Sequence, residues 1–279
     1  MNNVSSDRNK VVADSGGEWV SLLSLCIDSI GKDGFSENLV SALRSLTDFD
    51  NCVVFAYYPT ERPQCLFFTF SPKDRVVFVD DYLKGPYILD PFLKACAGQI
   101  EPSLYRLRDI APDRFYQSEY YRSYYIQTGL AEEIGYTLYL PKGVSVVISL
   151  MRAGESSRFS AREFRLLKNV APIVISLAQR HWEYVSGAFN VDTQSDGSDE
   201  TRSAIEKTVS DLFSKRITPR ETQVVAQVLE GHSSDSIAKN LGISVGTVRI
   251  HRRNIYAKLQ ISSQQELFAI FFKKITTEH

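Results

Sequence analysis

Arg249, Ile250 and Arg253 lie on one side of the run Val245–Leu259, while Val248, Ile255 and Leu259 recur at i, i+7 and i+11 on the other. Long cations on either side of one apolar tip have a definite chemical use. A guanidinium can donate two parallel hydrogen bonds to O6 and N7 of guanine, and an isoleucine side chain can meet the methyl group of thymine. Thr247, Arg252 and Lys258 flank these three and are expected to reach phosphates, contacts that fix register without reading sequence. His251 reads as a packing or phosphate-contacting histidine. Charge is distributed accordingly. Residues 215–279 hold ten Lys and Arg against five Asp and Glu, whereas the preceding residues hold 22 against 28, within an overall net charge of −1. A basic tail on a weakly acidic body points to a polyanionic partner for the tail alone.

The elements that must position this face are legible from their caps. Thr218-Pro219-Arg220-Glu221 is a capping box with proline at the first helical position, where a missing N–H costs nothing. Val224, Val225, Val228 and Leu229 supply that helix's buried stripe, and Gly231 ends it. Ser233 or Ser234 opens a short helix containing Ile237, Ala238 and Leu241, and Gly242 closes it in the manner of a left-handed C-cap. Ser244 then caps the helix that carries the arginines. Two helices joined by a tight glycine-containing turn form a helix-turn-helix.

Residues 217–272 resemble the LuxR/FixJ (GerE-type) DNA-binding domain. The matching positions are Thr218-Pro219-Arg220-Glu221, Val225, Gly231, Ser233, Ile237-Ala238, Leu241-Gly242-Ile243-Ser244, Thr247-Val248, His251, Asn254-Ile255 and Lys258-Leu259. The resemblance implies four helices, the third entering the major groove of double-stranded DNA with Arg249, Ile250 and Arg253 toward the bases. It implies a fourth helix, over Ser263–Lys273, that helps dimerisation. A homodimer on a near-palindromic site also follows from geometry, since two modules multiply the specificity of one.

Upstream the pattern changes. Residues 1–17 read as a disordered lead. Trp19, Leu22, Leu23, Cys26, Ile27 and Ile30 mark one face of a helix that stops near Gly31, and a second helix is expected from Ser36. Cys52–Tyr58 and Cys65–Phe70 read as a strand pair, and Val76–Val79 as a short strand. Tyr82–Ala97 and Phe115–Gln127 read as helical, and Ile134–Leu140 and Val144–Met151 as a second strand pair. Ser160 and Glu163 form a capping box for a long helix through Trp182, with Pro172 inside it. The polar, acidic stretch Asn190–Ser203 reads as a linker, set at 188–214 between a sensor domain (18–187) and the DNA-binding domain (215–279). The fold class expected is an α+β N-terminal domain, an antiparallel sheet flanked by helices in the manner of GAF or PAS domains, followed by a small all-α four-helix module.

Thirteen of the fourteen tyrosines precede the linker. Aromatic walls with a few hydroxyls suit a small-molecule pocket, and Tyr87, Asp90, Tyr125, Tyr139 and Ser149 are its candidate lining. A phosphorylation-driven receiver is not supported, because Asp80-Asp81 lacks the accompanying pattern. Two readings stay open. One is a GAF- or PAS-like sensor of a small molecule or partner. The other is an acyl-homoserine-lactone receptor, since Tyr82-Leu83-Lys84-Gly85-Pro86-Tyr87-Ile88-Leu89-Asp90-Pro91 is similar to that family's Tyr-x-x-Asp-Pro region, where the aspartate accepts from the ligand amide.

An enzymatic or purely protein-interaction role for the N-terminal domain is the alternative of a different class. No GxxxxGK[ST], GxSxG or HExxH motif is present, and Glu132-Glu133 reads as a solvated pair. His181, His232, His251 and His279 are dispersed, so no metal or other cofactor is expected. The polar N-terminus, the lack of an apolar run approaching the ~20 residues of a bilayer span, and four scattered cysteines fit a reduced cytoplasmic chain with no membrane partner.

Overall fold

The computed structural model describes residues 17–59, 61–154, 158–186, 200–213 and 216–277. The expected lead, apart from residue 17, and residues 188–199 of the expected linker lie outside the described residues. Helices α1 (17–28) and α2 (Phe35–Leu46) precede strands β1 (Asn51–Tyr57) and β2 (Gln64–Phe68). Short helices α3 (Pro72–Arg75), α4 (Pro91–Ala97), α5 (Leu107–Ile110) and α6 (Glu119–Ser123) surround strand β3 (Leu104–Arg106). Strands β4 (Leu130–Tyr139) and β5 (Ser145–Ala153) form a hairpin, and α7 (Ala161–Ser186) follows. The chain ends with α8 (Glu200–Phe213), α9 (Pro219–Glu230), α10 (Ser234–Leu241), α11 (Val245–Leu259) and α12 (Gln264–Thr277).

The five strands make one antiparallel sheet in the order β2-β1-β5-β4-β3. Successive side chains in a strand point to opposite faces, and here both faces of the central strands are covered. Val54, Tyr136, Ile148 and Leu150 join a core with α2 and α7, centred on Leu43, Leu167 and Val174. Val53, Phe55, Tyr57, Val147 and Met151 join a second core with Tyr82, Phe92, Phe115 and Tyr120. Gly135 is needed on this second face. A Cβ there would lie 2.6 Å from Cε1 of Phe92, so only glycine lets the Phe92 ring rest against β4.

The expected α+β class and both strand pairs are present, but the tyrosine-rich middle is more broken than its periodicity suggests. Val76–Val79 is not a strand. Ser71 caps α3, which widens into a π-helical turn over Val76–Asp81, and Phe78 stacks on Phe70 with ring centroids 4.3 Å apart. Tyr82–Ala97 divides into two 3-10 turns and α4, because Gly85 adopts φ +142° and Asp90-Pro91 starts a new helix. Tyr120 to Tyr125 likewise span α6 and a following 3-10 turn. Residues 200–213 of the expected linker are helical. Ile205, Val209 and Phe213, at i, i+4 and i+8, are buried in the second core, an amphipathic stripe hidden by the polar residues around it.

Two polar devices tie the first face together. The Gly31 amide donates to Nδ1 of His181 at 3.0 Å, while the His181 ring stacks on Phe35 at 4.1 Å. This fixes the α1–α2 turn to α7, and burial lowers the histidine pKa, in keeping with an unprotonated acceptor nitrogen. The capping box at α7 forms as the spacing predicts: Ser160 N–H donates to Glu163 at 2.7 Å and Glu163 N–H donates to Ser160 Oγ at 3.2 Å. Glu163 also accepts from Arg152 at 2.6 Å and from Thr47 at 2.9 Å.

Partial desolvation raises the Glu163 pKa, but the bonds from Arg152, Ser160 and Thr47 outweigh it and bring it down to about 2. A depressed carboxylate contributes stability above its unfolded pKa and loses it as pH falls through the folded value. Unfolding midpoints in urea should therefore drop for the native chain between pH 4.5 and 2. Glu163→Gln should lower the midpoint at neutral pH and flatten that acid limb. An acid limb as steep in the variant as in the native chain would show that Glu163 does not drive it.

Candidate functional site

The helix-turn-helix is set by four side-chain caps and two left-handed glycines. Thr218 and Glu221 form the complete capping box of α9, with Thr218 N–H donating to Glu221 at 2.7 Å. Gly231 (φ +95°) and Gly242 (φ +64°) end α9 and α10. Ser233 Oγ accepts from Ser236 N–H at 3.1 Å, and Ser244 Oγ from Thr247 N–H at 3.0 Å. Val248, Ile255 and Leu259 are buried, so the opposite side of α11 must face outward. Arg249, Ile250 and Arg253 are exposed there, Ile250 by 52%. Neither arginine has a hydrogen-bond or ion-pair partner among the described residues.

The three expected phosphate contacts are placed differently from one another. The Thr247 hydroxyl is shared with Ser244 Oγ at 2.8 Å, at the mouth of α11. Arg252 is half-buried and donates to Tyr256 at 3.3 Å and to Gln264 at 3.2 Å, which ties α11 to α12. Lys258 holds both oxygens of Glu221, at 2.7 and 2.8 Å. Burial pushes the Glu221 pKa up, yet Lys258 and the Thr218 cap bring it below the usual carboxylate range. Lys258 thus clamps α11 to the start of α9. His251 is half-buried.

On the second face of the sheet, the candidate lining separates into three places. Asp90 is the N-cap of α4: Oδ1 accepts from Phe92 N–H at 2.7 Å, and Oδ2 accepts from the Tyr82 hydroxyl at 2.6 Å. Tyr82 and Tyr57 hydroxyls meet at 2.7 Å, so a hydrogen-bond chain runs from β1 to Asp90. Tyr87 packs edge-on against Tyr82, with ring centroids 6.2 Å apart. Farther along the sheet, the Tyr125 hydroxyl donates to Glu133 at 2.8 Å, and the Ser149 side chain also bonds Glu133. Tyr139 sits at the far end of β4, its hydroxyl donating to the Ile100 carbonyl at 2.7 Å.

Glu132-Glu133 is not the solvated pair expected. Alternation in β4 sends the two carboxylates to opposite faces, and both are buried. Glu132 pairs with Arg106 and accepts from Phe159 N–H at 2.7 Å. Glu133 faces the tyrosines, with no cation bonded to it among the described residues. Burial, and then the charge of Asp90, push its pKa up to about 7, with Ser149 and Tyr125 opposing the shift. Burial raises Asp90 as well, partly offset by Tyr82 and the Phe92 amide. Glu133, Tyr57 and Tyr82 were not singled out by their spacing. The period-two register of β4 was the available signal for Glu133, since it shares a face with Gly135 and Tyr139.

Two cavities border this core. One of about 380 Å3 is lined by Tyr57, Leu93, Cys96, Ile100, Tyr139 and Ser145. Another of about 240 Å3 is lined by Arg108, Tyr116, Tyr121, Tyr125, Glu133 and Arg158. Among the described residues no group of His, Cys, Asp and Glu could hold a metal ion, and no helix is long and apolar enough to cross a membrane.

Comparison with known proteins bears on both halves. Residues 215–271 match the model of the bacterial regulatory proteins of the luxR family. The chain is 32% identical over 188 residues to an HTH-type transcriptional regulator in the exeN 3' region of Aeromonas salmonicida, covering 67% of this chain and 95% of that protein. It is 28% identical over 138 residues to the monoamine regulon transcriptional regulator of Klebsiella aerogenes, covering 45% of this chain and 61% of that one. Among solved structures it is similar to the VqsR LBD domain from Pseudomonas aeruginosa, with TM-score 0.52 and 24% identity over 60% of this chain and 98% of that one; the likeness is one of fold. With an exposed arginine face on a capped helix-turn-helix, and a relative matched over nearly its whole length, the chain belongs to the luxR family of DNA-binding transcriptional regulators.

Proposed function

We propose that α11 enters the major groove of a near-palindromic site in a homodimer, with Arg249, Ile250 and Arg253 at base edges. The observation that carries this reading is the pair of unpartnered arginines flanking exposed Ile250, on a helix whose other side is fixed in the core. Thr247, Arg252 and Lys258 lie toward the phosphates. Arg252 does so while bonded to Gln264, and Lys258 would share its ammonium between Glu221 and the phosphate. The DNA-binding module begins near residue 215, and the protein works in the cytoplasm.

The N-terminal domain, to about residue 187, is read as a sensor and not as an enzyme. Its buried polar groups are satisfied by one another in a chain from Tyr57 to Asp90, an arrangement suited to recognising a molecule. The effector would occupy the cavity at Tyr57 and Tyr139, which meets that chain at the Tyr57 ring. Tyr125 and Ser149 hold Glu133 beside the second cavity, walled by Tyr121 and Tyr125. An acyl-homoserine lactone is the second reading. By that resemblance Asp90, whose carboxylate accepts from Tyr82 here, would accept from the ligand amide. The LBD label of the VqsR structure and the monoamine regulon of the Klebsiella relative are in keeping with small-molecule control.

Arg253→Ala should cost roughly 1–3 kcal/mol in operator affinity and relax base preference at one position. Equal weakening on every sequence would show that Arg253 touches only phosphate. Native affinity should fall steeply with salt as counterions are released.

For the sensor, native mass spectrometry of the purified chain should show a small molecule held by the wild type and lost in Tyr57→Phe. Melting temperatures with a series of acyl-homoserine lactones separate the two ligand readings. A chain that purifies alone and is stabilised by none of them would favour control by a protein partner.

A further inference from the structure

The helix-turn-helix is bound to the sensor by a specific set of contacts. Sensor residues 112–118 lie over the turn between α9 and α10. The Arg114 amide donates to the Gly231 carbonyl at 3.0 Å, and the Ser233 amide donates to Oδ1 of Asp113 at 2.9 Å. The fit is close. A Cβ on Gly231 would lie 3.1 Å from Cα of Phe115 and from Cβ of Ser118. Beside it, Lys94 of α4 pairs with Glu230, which also faces His232 at 3.4 Å. At the far end of the module Gly85 approaches Ile275 of α12, within 3.0 Å for a Cβ. Leu89, Phe92, Phe115 and Tyr120 of the sensor share one core with Val225, Phe268 and Ile275.

Ser233 is the N-cap of α10, the first helix of the helix-turn-helix. In this motif the first helix crosses the DNA backbone, and amides at a helix N-terminus favour anions. Here the anion beside that amide is a carboxylate of the protein's own sensor. Partial desolvation raises the Asp113 pKa, but the bonds from Ser233 outweigh it and hold the carboxyl below its usual range, so it is ionised at neutral pH. Asp113 thus sets a negative charge against the N-terminus of α10, an end that favours anions.

We propose that the 112–118 segment is an autoinhibitory latch in which Asp113 stands in for a DNA phosphate at the start of α10 and holds the module docked on the sensor. Its release is built into the same stretch of chain. Ser118 ends the latch and caps α6, its Oγ accepting from Tyr121 N–H at 3.1 Å. Tyr121 and Tyr125 wall the cavity that reaches Glu133. A molecule that entered this second cavity and shifted α6 would pull on Ser118 and loosen Asp113 from Ser233. The latch rests on the reading of α11 as the DNA-contacting helix but adds to it, because that helix is exposed in the docked state and the inhibition comes from α10.

The test uses the full chain and two substitutions at Asp113, an exposed position where replacement spares the core. Anisotropy with a fluorescent 30-base-pair mixed-sequence duplex at low salt reads affinity, and hydrogen exchange reads the amides of residues 231–236. Asp113→Ala and Asp113→Asn should each bind roughly fivefold or more tightly than the native chain, with faster exchange at Ser233. Unchanged or weaker binding by both Asp113 variants, or unchanged exchange at 231–236, would overturn the latch while leaving DNA binding intact. Failure of every form to bind duplex would overturn the assignment of α11 itself, and the latch with it.

Discussion

The structure depends on a sheet whose central strands are buried on both faces. In β1, β5 and β4 every residue must commit to one of two cores, and a one-residue slip would exchange them all. That constraint turns adjacent glutamates into groups with opposite surroundings. Glu132 goes to the α7 face and meets Arg106, whereas Glu133 goes to the tyrosine face and meets only hydroxyls. It also explains Gly135, where the second core presses an aromatic ring directly onto the strand.

The two faces treat buried charge differently. On the α7 side, Arg106 and Arg152 neutralise Glu132 and Glu163 and donate further to backbone carbonyls of residues 48, 159 and 160. Satisfying each remaining polar group in this way is what makes a buried pair tolerable. On the tyrosine side Asp90 and Glu133 have hydroxyl and amide donors but, among the described residues, no bonded cation, and each is harder to ionise than in water. The first arrangement fastens elements together. The second leaves two carboxyls whose ionisation depends on the hydroxyl and amide donors around them.

The exposed arginine face of α11 is secured from behind. Lys258 joins α11 to the capping box of α9 through Glu221, and Arg252 joins it to α12 through Gln264. Arg249 and Arg253 are left to project from a helix whose rotation is fixed by three buried side chains. The α9–α10 turn is where this rigid module meets the sensor. Its glycine serves two ends at once, a left-handed helix stop and a surface flat enough for the Phe115 backbone. α8 completes the junction by burying its apolar stripe between the two halves.

Caps, turns and alternation are local, and the sequence alone determined what rests on them. Thr218 to Glu221, Ser233, Gly242 and Ser244 set the helix-turn-helix and so the outward side of α11, and Ser160 with Glu163 set the start of α7. The strand pairs followed from their β-branched and aromatic runs. Only the tertiary structure decided what depends on partners distant in the chain. It made 200–213 a helix, because its stripe is covered by α4, α9 and α12. It turned Val76–Val79 away from the sheet into a π-helical turn, with Phe78 stacked on Phe70. It gave Lys258 to Glu221, buried Glu133 among tyrosines from β1 and from the α6 region, and set Asp113 against Ser233, 120 residues away. None of these follows from spacing, because each is fixed by which surfaces the two cores bring together.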